Sequence, residues 1–451
     1  MITLDFSRKG IQAGIIVLII LPAIITALYI IRFGVNVIFW DQWGFFGTTL
    51  AHWYEGTLSF QDLFHQTNEN RMFFPKILMI GIASVTSYNT IAEMACSFIL
   101  LLINLALLYT ICSTGKKWSW EYLVFFIPVV WLFLSIHQWE NLLMGFQISF
   151  FLCVTGVLIA ISFLERCNGI DWNLGLGIVG GVLSSFSAMF GLMIWPTGLA
   201  LLLLKERRNP REISGWLIAA IVTILIFFNG WVRSENKPSL FYVLSKPVEA
   251  TGFFFALTAN SFGFNMSVIG EYPAILVGIL FFFILGFTLY RAYGIGIIRA
   301  NAGIIALIVF ALLSEVMVTA GRGGFGIIQT TTSRYVTFTV FGIIGTYLLF
   351  INLKEFCCKD DLWLKRVFCL FCILILAGII IGMGEGLVLG EKTRVQRQEM
   401  REILISYPTA SDSSLKMLHP DQQLVRKWAP VLKKYQLNVF AGNYTTPLHS
   451  T

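Results

Sequence analysis

Charge is scarce in this chain. Only 13% of its 451 residues are Asp, Glu, Lys or Arg, against about 25% in an average soluble domain. So little polar surface cannot cover a globule of this size, which excludes a soluble fold. Period-2 alternation is missing too. The hydrophobic residues, 57% of the chain, gather in continuous Leu/Ile/Phe runs. Backbone groups inside lipid must be satisfied within the protein, which leaves helices or a closed barrel, and continuous runs select helices. The eight cysteines show no metal-ligand spacing: Cys357 and Cys358 are adjacent and no histidine pair accompanies them. Packing and reduced thiols are the expected roles. No small-residue cleavage site follows the first apolar run, residues 11–31, so it reads as a retained span. No repeat of about 20–50 residues is visible. The net charge of +7 makes no case for nucleic acid. Much of it falls in short loops, where it sets topology.

What is present is a series of apolar segments near 11–31, 90–112, 122–136, 142–163, 174–190, 192–204, 213–232, 269–290, 301–319, 336–352 and 367–385. The expected fold is therefore an all-α polytopic membrane protein of about 11 transmembrane helices, each needing roughly 20 residues to cross. Segments 174–190 and 192–204 are one apolar stretch broken near Ser184–Ser187 and at Trp195-Pro196, so two spans and a re-entrant hairpin both stay open. Basic residues at Arg8-Lys9, Lys116-Lys117, Arg166, Lys205 to Arg211, Arg291/Arg299 and Lys354 to Arg366 alternate with loops poorer in Lys and Arg. The positive-inside rule then puts the N-terminus in the cytoplasm and the C-terminus outside. On that parity residues 73–85 form a helix at the outer surface rather than a span.

Residues 1–388 are expected to form the membrane domain, with a long first outer loop at about 32–89, and 389–451 a polar, helical tail outside it. Trp43, Phe46, Leu50, Trp53 and Tyr54 recur at helical spacing, as in an interfacial amphipathic helix. The connection 233–267 reads as an outer loop. In the tail, Pro420 suits the first position of a helix.

Candidate chemistry lies in the outer loops. Asp41, flanked by Trp40 and Gln42-Trp43, is either a base with a raised pKa or the cap of the following helix. Glu69 and Arg71 either hold a polar ligand group or cap the next helix. Glu140 stands in a dense polar turn, with Gln147 two turns on. Glu93 and Glu315 lie inside spans, where a carboxylate is costly: each is a functional candidate or snorkels to the interface. Arg322, in Gly321-Arg322-Gly323-Gly324-Phe325-Gly326, and Arg334-Tyr335 share one loop. Arginine offers phosphate a planar fork of donors, and glycine lets a backbone approach a ligand closely. No Gly-Lys-Ser/Thr follows, so this is not a P-loop.

These motifs carry a resemblance. Trp-Asp-Gln-Trp from Trp40, Asn-Glu-Asn-Arg-Met-Phe-Phe-Pro from Asn68, Gln-Trp-Glu-Asn from Gln138, Ser-Arg-Tyr from Ser333 and the tail's Leu-His-Pro-Asp…Leu-Asn-Val-Phe look like a bacterial branch of the GT-C superfamily. That superfamily of membrane glycosyltransferases includes protein O-mannosyltransferases and lipid A aminoarabinose transferases. The resemblance implies a polyprenyl-phosphate-linked sugar donor, a cell-envelope glycan or lipid acceptor, and chemistry on the outer face. It makes Asp41 the catalytic base. Glu69, Arg71, Glu140, Gln147, Arg322, Arg334 and Tyr335 become the substrate-binding set. The chain departs from better-known members in having Asp-Gln-Trp where many have an acidic pair, and Asn70 where the branch has His. No cofactor follows from the motifs, and dependence on a divalent metal stays open, as does the sugar. Two other classes compete. An O-antigen polymerase or ligase places its basic residues in one large later loop, whereas here the long loop is the first. A lipid-linked glycan transporter would show symmetry between two halves, which is not visible.

Overall fold

A computed structural model of the chain describes residues 9–113, 119–233, 237–239, 241–356 and 361–442. Arg8, Lys116, Lys117, Cys357, Cys358 and Lys359 lie outside them. No strand occurs among the described residues beyond one isolated bridge, Thr67 to Asn70.

The chain opens with α1 (Lys9–Phe33). A cap of short helices follows: α2 (Asp41–Phe45), a π turn (Phe46–Leu50), α3 (Ala51–Glu55), α4 (Phe60–Phe64) and α5 (Phe73–Thr86). Next come α6 (Thr90–Cys112), α7 (Trp120–Phe133), the short α8 (Trp139–Leu142), α9 (Ile148–Arg166), α10 (Trp172–Ser185), α11 (Ile194–Leu204) and α12 (Pro210–Phe228). The second half holds α13 (Tyr242–Ser245), α14 (Pro247–Phe262), α15 (Met266–Ile269), α16 (Glu271–Ile295), α17 (Ala302–Arg322), α18 (Val336–Phe356) and α19 (Leu362–Ile405). The tail adds α20 (Asp412–Leu418) and α21 (Gln422–Lys434). Among the described residues nine helices are long and apolar enough to cross a membrane. The protein is thus an all-α, multi-pass membrane protein.

The stretch expected to give spans five and six breaks after Ser185, as expected, but not at Trp195-Pro196, which lie within the first turn of α11. α10 has 14 residues, or about 21 Å of helix, well short of a bilayer core. It lies against α9 through paired small residues, Gly156/Ala160 on one helix and Gly180/Ser184 on the other, the spacing that lets membrane helices approach backbone to backbone. A Cβ on Gly180 would stand 2.7 Å from both the Gly156 carbonyl oxygen and the Ala160 nitrogen. Gly180→Leu should therefore push the helices apart and cost about 1–3 kcal/mol. The expected result is a lower melting temperature in detergent and a lower folded yield. An unchanged melting curve would show that this contact is not tight.

The connection 233–267, read from sequence as a loop, instead contains α14. This helix packs along α16 and buries Phe253, Leu257 and Phe262.

Two apolar cores result. One fills the helix bundle. The other joins the first connection to the tail: Trp43, Phe46, Leu50 and Met79 pack with Leu415, Leu418, Val425 and Leu432. The Trp40 N–H donates to the Leu418 carbonyl at 2.8 Å, and the Asn438 N–H to the Ser87 carbonyl at 2.8 Å. α19 runs unbroken through the change of composition after Val388 and carries the chain into this second core. Pro420 precedes the cap of α21 instead of opening the helix. Asp421 is the cap, accepting from the Gln423 N–H at 2.9 Å.

Candidate functional site

The first connection arches over one end of the bundle, and its polar residues meet the ends of α9, α12, α17 and α18 there. Two cavities adjoin at this place, of about 250 Å³ and 220 Å³. Asp41, Gln147 and Arg334 line both.

Asp41 is the first residue of α2, and it is not the cap. The N–H groups that open the helix are already engaged: Gln42 donates to the Phe39 carbonyl at 3.2 Å and Trp43 to the Trp40 carbonyl at 3.0 Å. Trp40 holds the cap position with φ of 50°, a left-handed backbone that a bulky residue adopts only under constraint. The bond to Leu418 and the Gln42 side chain, which accepts from the Phe39 N–H at 3.3 Å, fix that geometry. The Asp41 carboxylate has no hydrogen bond or ion pair among the described residues. It faces the junction of the cavities, its charge acting on Arg334 from beyond ion-pair distance.

The larger cavity has two kinds of lining. Arg233, Lys237, Arg322 and Arg334 supply basic groups to it. Phe150, Met189, Phe190, Met317 and Tyr335 supply the apolar part. Glu69 organises the cations: its Oε1 lies 3.0 Å from Lys237 Nζ and 3.4 Å from Arg322 Nη2. Burial alone would raise this carboxyl, but Arg322 and Lys237 outweigh it and hold the group below the usual carboxylate range. Asn70 fixes the floor, its Oδ1 accepting from the Met189 N–H at 2.8 Å.

In the smaller cavity Glu140 plays the matching part. Its Oε2 accepts from the Arg334 backbone N–H at 3.0 Å and the Ser333 hydroxyl at 3.2 Å, while Oε1 lies 3.5 Å from Arg334 Nη2. The Arg334 Nε is buried without a partner, so the guanidinium keeps donors to offer. Gln147 is buried and lines both cavities, its amide donating, among the described residues, only to the Met144 sulfur at 3.8 Å.

Seven of the eight residues read from the sequence therefore converge: Asp41, Glu69, Glu140, Gln147, Arg322, Arg334 and Tyr335. Arg71 does not. It is buried over the Phe64 ring at 4.8 Å and donates to the carbonyls of Phe64, Phe227 and Asn229. Its fork ties the cap to the C-terminus of α12, whose last carbonyls lack helical partners. The glycines after Arg322 also serve a different purpose. A Cβ on Gly323 would meet the Tyr242 ring at 3.0 Å and one on Gly324 would strike Pro238, so they admit the chain's own segment, not a ligand. Glu93 and Glu315 are buried, at 1% and 2% exposure, which excludes snorkelling, and neither lines either cavity. Glu315 accepts from the Thr258 hydroxyl at 3.1 Å.

Arg233, Lys237 and Arg397 belong to the cavities without having been singled out from sequence. The signal for Arg397 was present. The buried stripe of α19 runs Gly386, Gly390, Thr393, Arg397, Met400, Leu404, and an arginine occupies a place where an apolar residue is the rule.

No group of three or more His, Cys, Asp and Glu side chains gathers among the described residues. Glu69 and Glu140 are committed to cations, leaving one unengaged carboxylate, so the donor set does not fit a metal held by protein side chains. No family model, no curated protein and no solved structure matches this chain.

Proposed function

We propose that the protein is a membrane glycosyltransferase of the GT-C type. It moves a sugar from a polyprenyl-phosphate-linked donor to a cell-envelope glycan or lipid acceptor, on the outer face of a bacterial cytoplasmic membrane. The observation that carries this reading is the Asp41 carboxylate at the wall shared by two unlike cavities. The larger cavity combines cations with apolar lining groups, which suits the phosphate and first carbons of a lipid donor. The smaller cavity is polar and aromatic, which suits an acceptor. The cap and the tail face outward in this reading, and the N-terminus faces the cytoplasm.

The acceptor hydroxyl approaches Asp41, which takes its proton as the oxygen attacks the anomeric carbon. The bond from that carbon to the phosphate oxygen breaks, and its electron pair leaves with the lipid phosphate. Arg322, Arg334 and Lys237 stabilise the charge gathering on that phosphate, an interaction strongest in the transition state. A single displacement of this kind inverts the anomeric centre. Glu69 and Glu140 hold the cations in place beforehand, which removes the cost of arranging them during the reaction.

Mass spectrometry of lipids and envelope glycans from cells lacking the protein tests the proposal. The expected result is accumulation of a polyprenyl-phosphate sugar and loss of one sugar from a glycan or lipid, both reversed by the wild-type gene. Unchanged profiles would overturn it.

A further inference from the structure

The smaller cavity contains a feature that proton abstraction does not require. Arg397 is 5% exposed, and no carboxylate lies within ion-pair distance of it among the described residues. One arm of its guanidinium donates to the Leu143 carbonyl, and its plane stands 4.3 Å over the Phe39 ring. Its Nε and remaining Nη have no partner among the described residues, and the residue lines the cavity. Glu140, across the same cavity, acts on it only from beyond ion-pair distance, and a buried cation so weakly compensated is expensive. The expense is recovered when an anion enters.

Two tryptophans complete the chamber. Trp40 and Trp139 both line it, and the indole N–H groups of both are without hydrogen bonds among the described residues. Trp40 is 54% exposed on the strained backbone described above, held there by the tail. An indole face is negative and apolar, and it suits the C–H face of a sugar ring. The indole N–H and the side chain of Gln396, also in the lining, can meet hydroxyl groups. Asp41 stands in the same wall, within reach of whatever ring occupies the chamber.

We infer that this cavity is the acceptor subsite and that it takes an acidic sugar, whose carboxylate pairs with Arg397 while its ring lies against Trp139 and Trp40. The inference rests on the transferase reading and deepens it by naming the acceptor class. Arg397 is then a specificity-determining residue: it selects acidic over neutral rings through a charge-assisted fork.

Saturation-transfer NMR with the purified full-length protein in detergent tests this without turnover, using glucuronate, glucose and inorganic phosphate as probes. Glucuronate should bind at least tenfold more tightly than glucose, with saturation strongest at its ring C–H protons. Arg397→Gln should bring glucuronate down to the glucose level, and Arg397→Lys should restore part of the difference. Trp139→Ala should weaken both sugars. Equal binding of the two sugars by the unmodified protein, or no binding of either, would overturn the inference even if no variant folds. Unchanged glucuronate binding in a folded Arg397→Gln protein would overturn it too. Displacement of glucuronate by an equal concentration of inorganic phosphate would assign the anion to the donor's phosphate instead, and sink the acidic-sugar reading. Any of these results leaves the transferase proposal standing, because that stands or falls on the deletion profile.

Discussion

Asp41→Asn lowers transfer by about 100-fold or more, the usual scale for loss of general-base assistance, while the protein still folds and binds its lipid donor. That factor corresponds to about 2.7 kcal/mol of transition-state stabilisation. Asparagine keeps the size of the side chain and cannot take a proton at neutral pH. The substitution is clean here because the carboxylate holds nothing in place. The opening N–H groups of α2 are satisfied by the Phe39 and Trp40 carbonyls, and no cation lies within ion-pair distance of Asp41 among the described residues, Arg334 acting on it only from further away. A stability loss is therefore not expected, and thermal unfolding should match the wild type. The measurement is initial rate with purified donor and acceptor, beside donor affinity from a binding assay. Near-normal turnover would remove Asp41 from the mechanism. Glu69 and Glu140 would be the next carboxylates to test, although each is engaged by cations.

Most of the spans were legible because lipid-facing helices must be apolar over their whole length, and hydropathy reads that directly. α14 escaped for a physical reason. Its sequence is diluted by Thr258, Asn260 and Ser261, yet these side chains face other protein groups: Thr258 bonds Glu315, Asn260 bonds His137 and Ser261 bonds Thr339. Polarity satisfied inside a bundle looks like a loop to a hydropathy count. The cap helix beginning at Asp41 was legible from its aromatic spacing, and the site's acids and arginines stood out as polar residues beside spans. Arg71 shows the limit of that reasoning. A basic residue in a loop seats an anion or a helix C-terminus equally well, and only the positions of Phe227 and Asn229 decide. Nor could local pattern bring Arg397 to Asp41 across more than 350 positions of chain. That meeting depends on the tail packing onto the first connection, a contact between two separately amphipathic segments.

Arg334→Ala should produce a comparably large loss, on the order of 10²–10³ in kcat, as when one preorganised donor to developing charge is removed. The fold should survive, because Glu140 keeps its bonds from the Arg334 backbone N–H and the Ser333 hydroxyl. Arg322→Ala should cost less, since Lys237 remains on Glu69 and in the lining of the same cavity. Lysine at 334 should rescue only part of the loss: it restores a charge but not the planar fork. The division between constants identifies the role. A clamp that tightens as the phosphate departs lowers kcat, whereas one that only holds the ground state raises KM and leaves kcat alone. Arg71→Ala supplies the contrast. Its guanidinium is spent on backbone carbonyls, so truncation should lower the melting temperature and the folded yield while the folded fraction keeps its donor affinity. Full turnover in both the Arg322 and Arg334 alanine variants would dismiss the clamp. Lys237 and Arg233 would then be the cations left in the cavity lining to carry a phosphate.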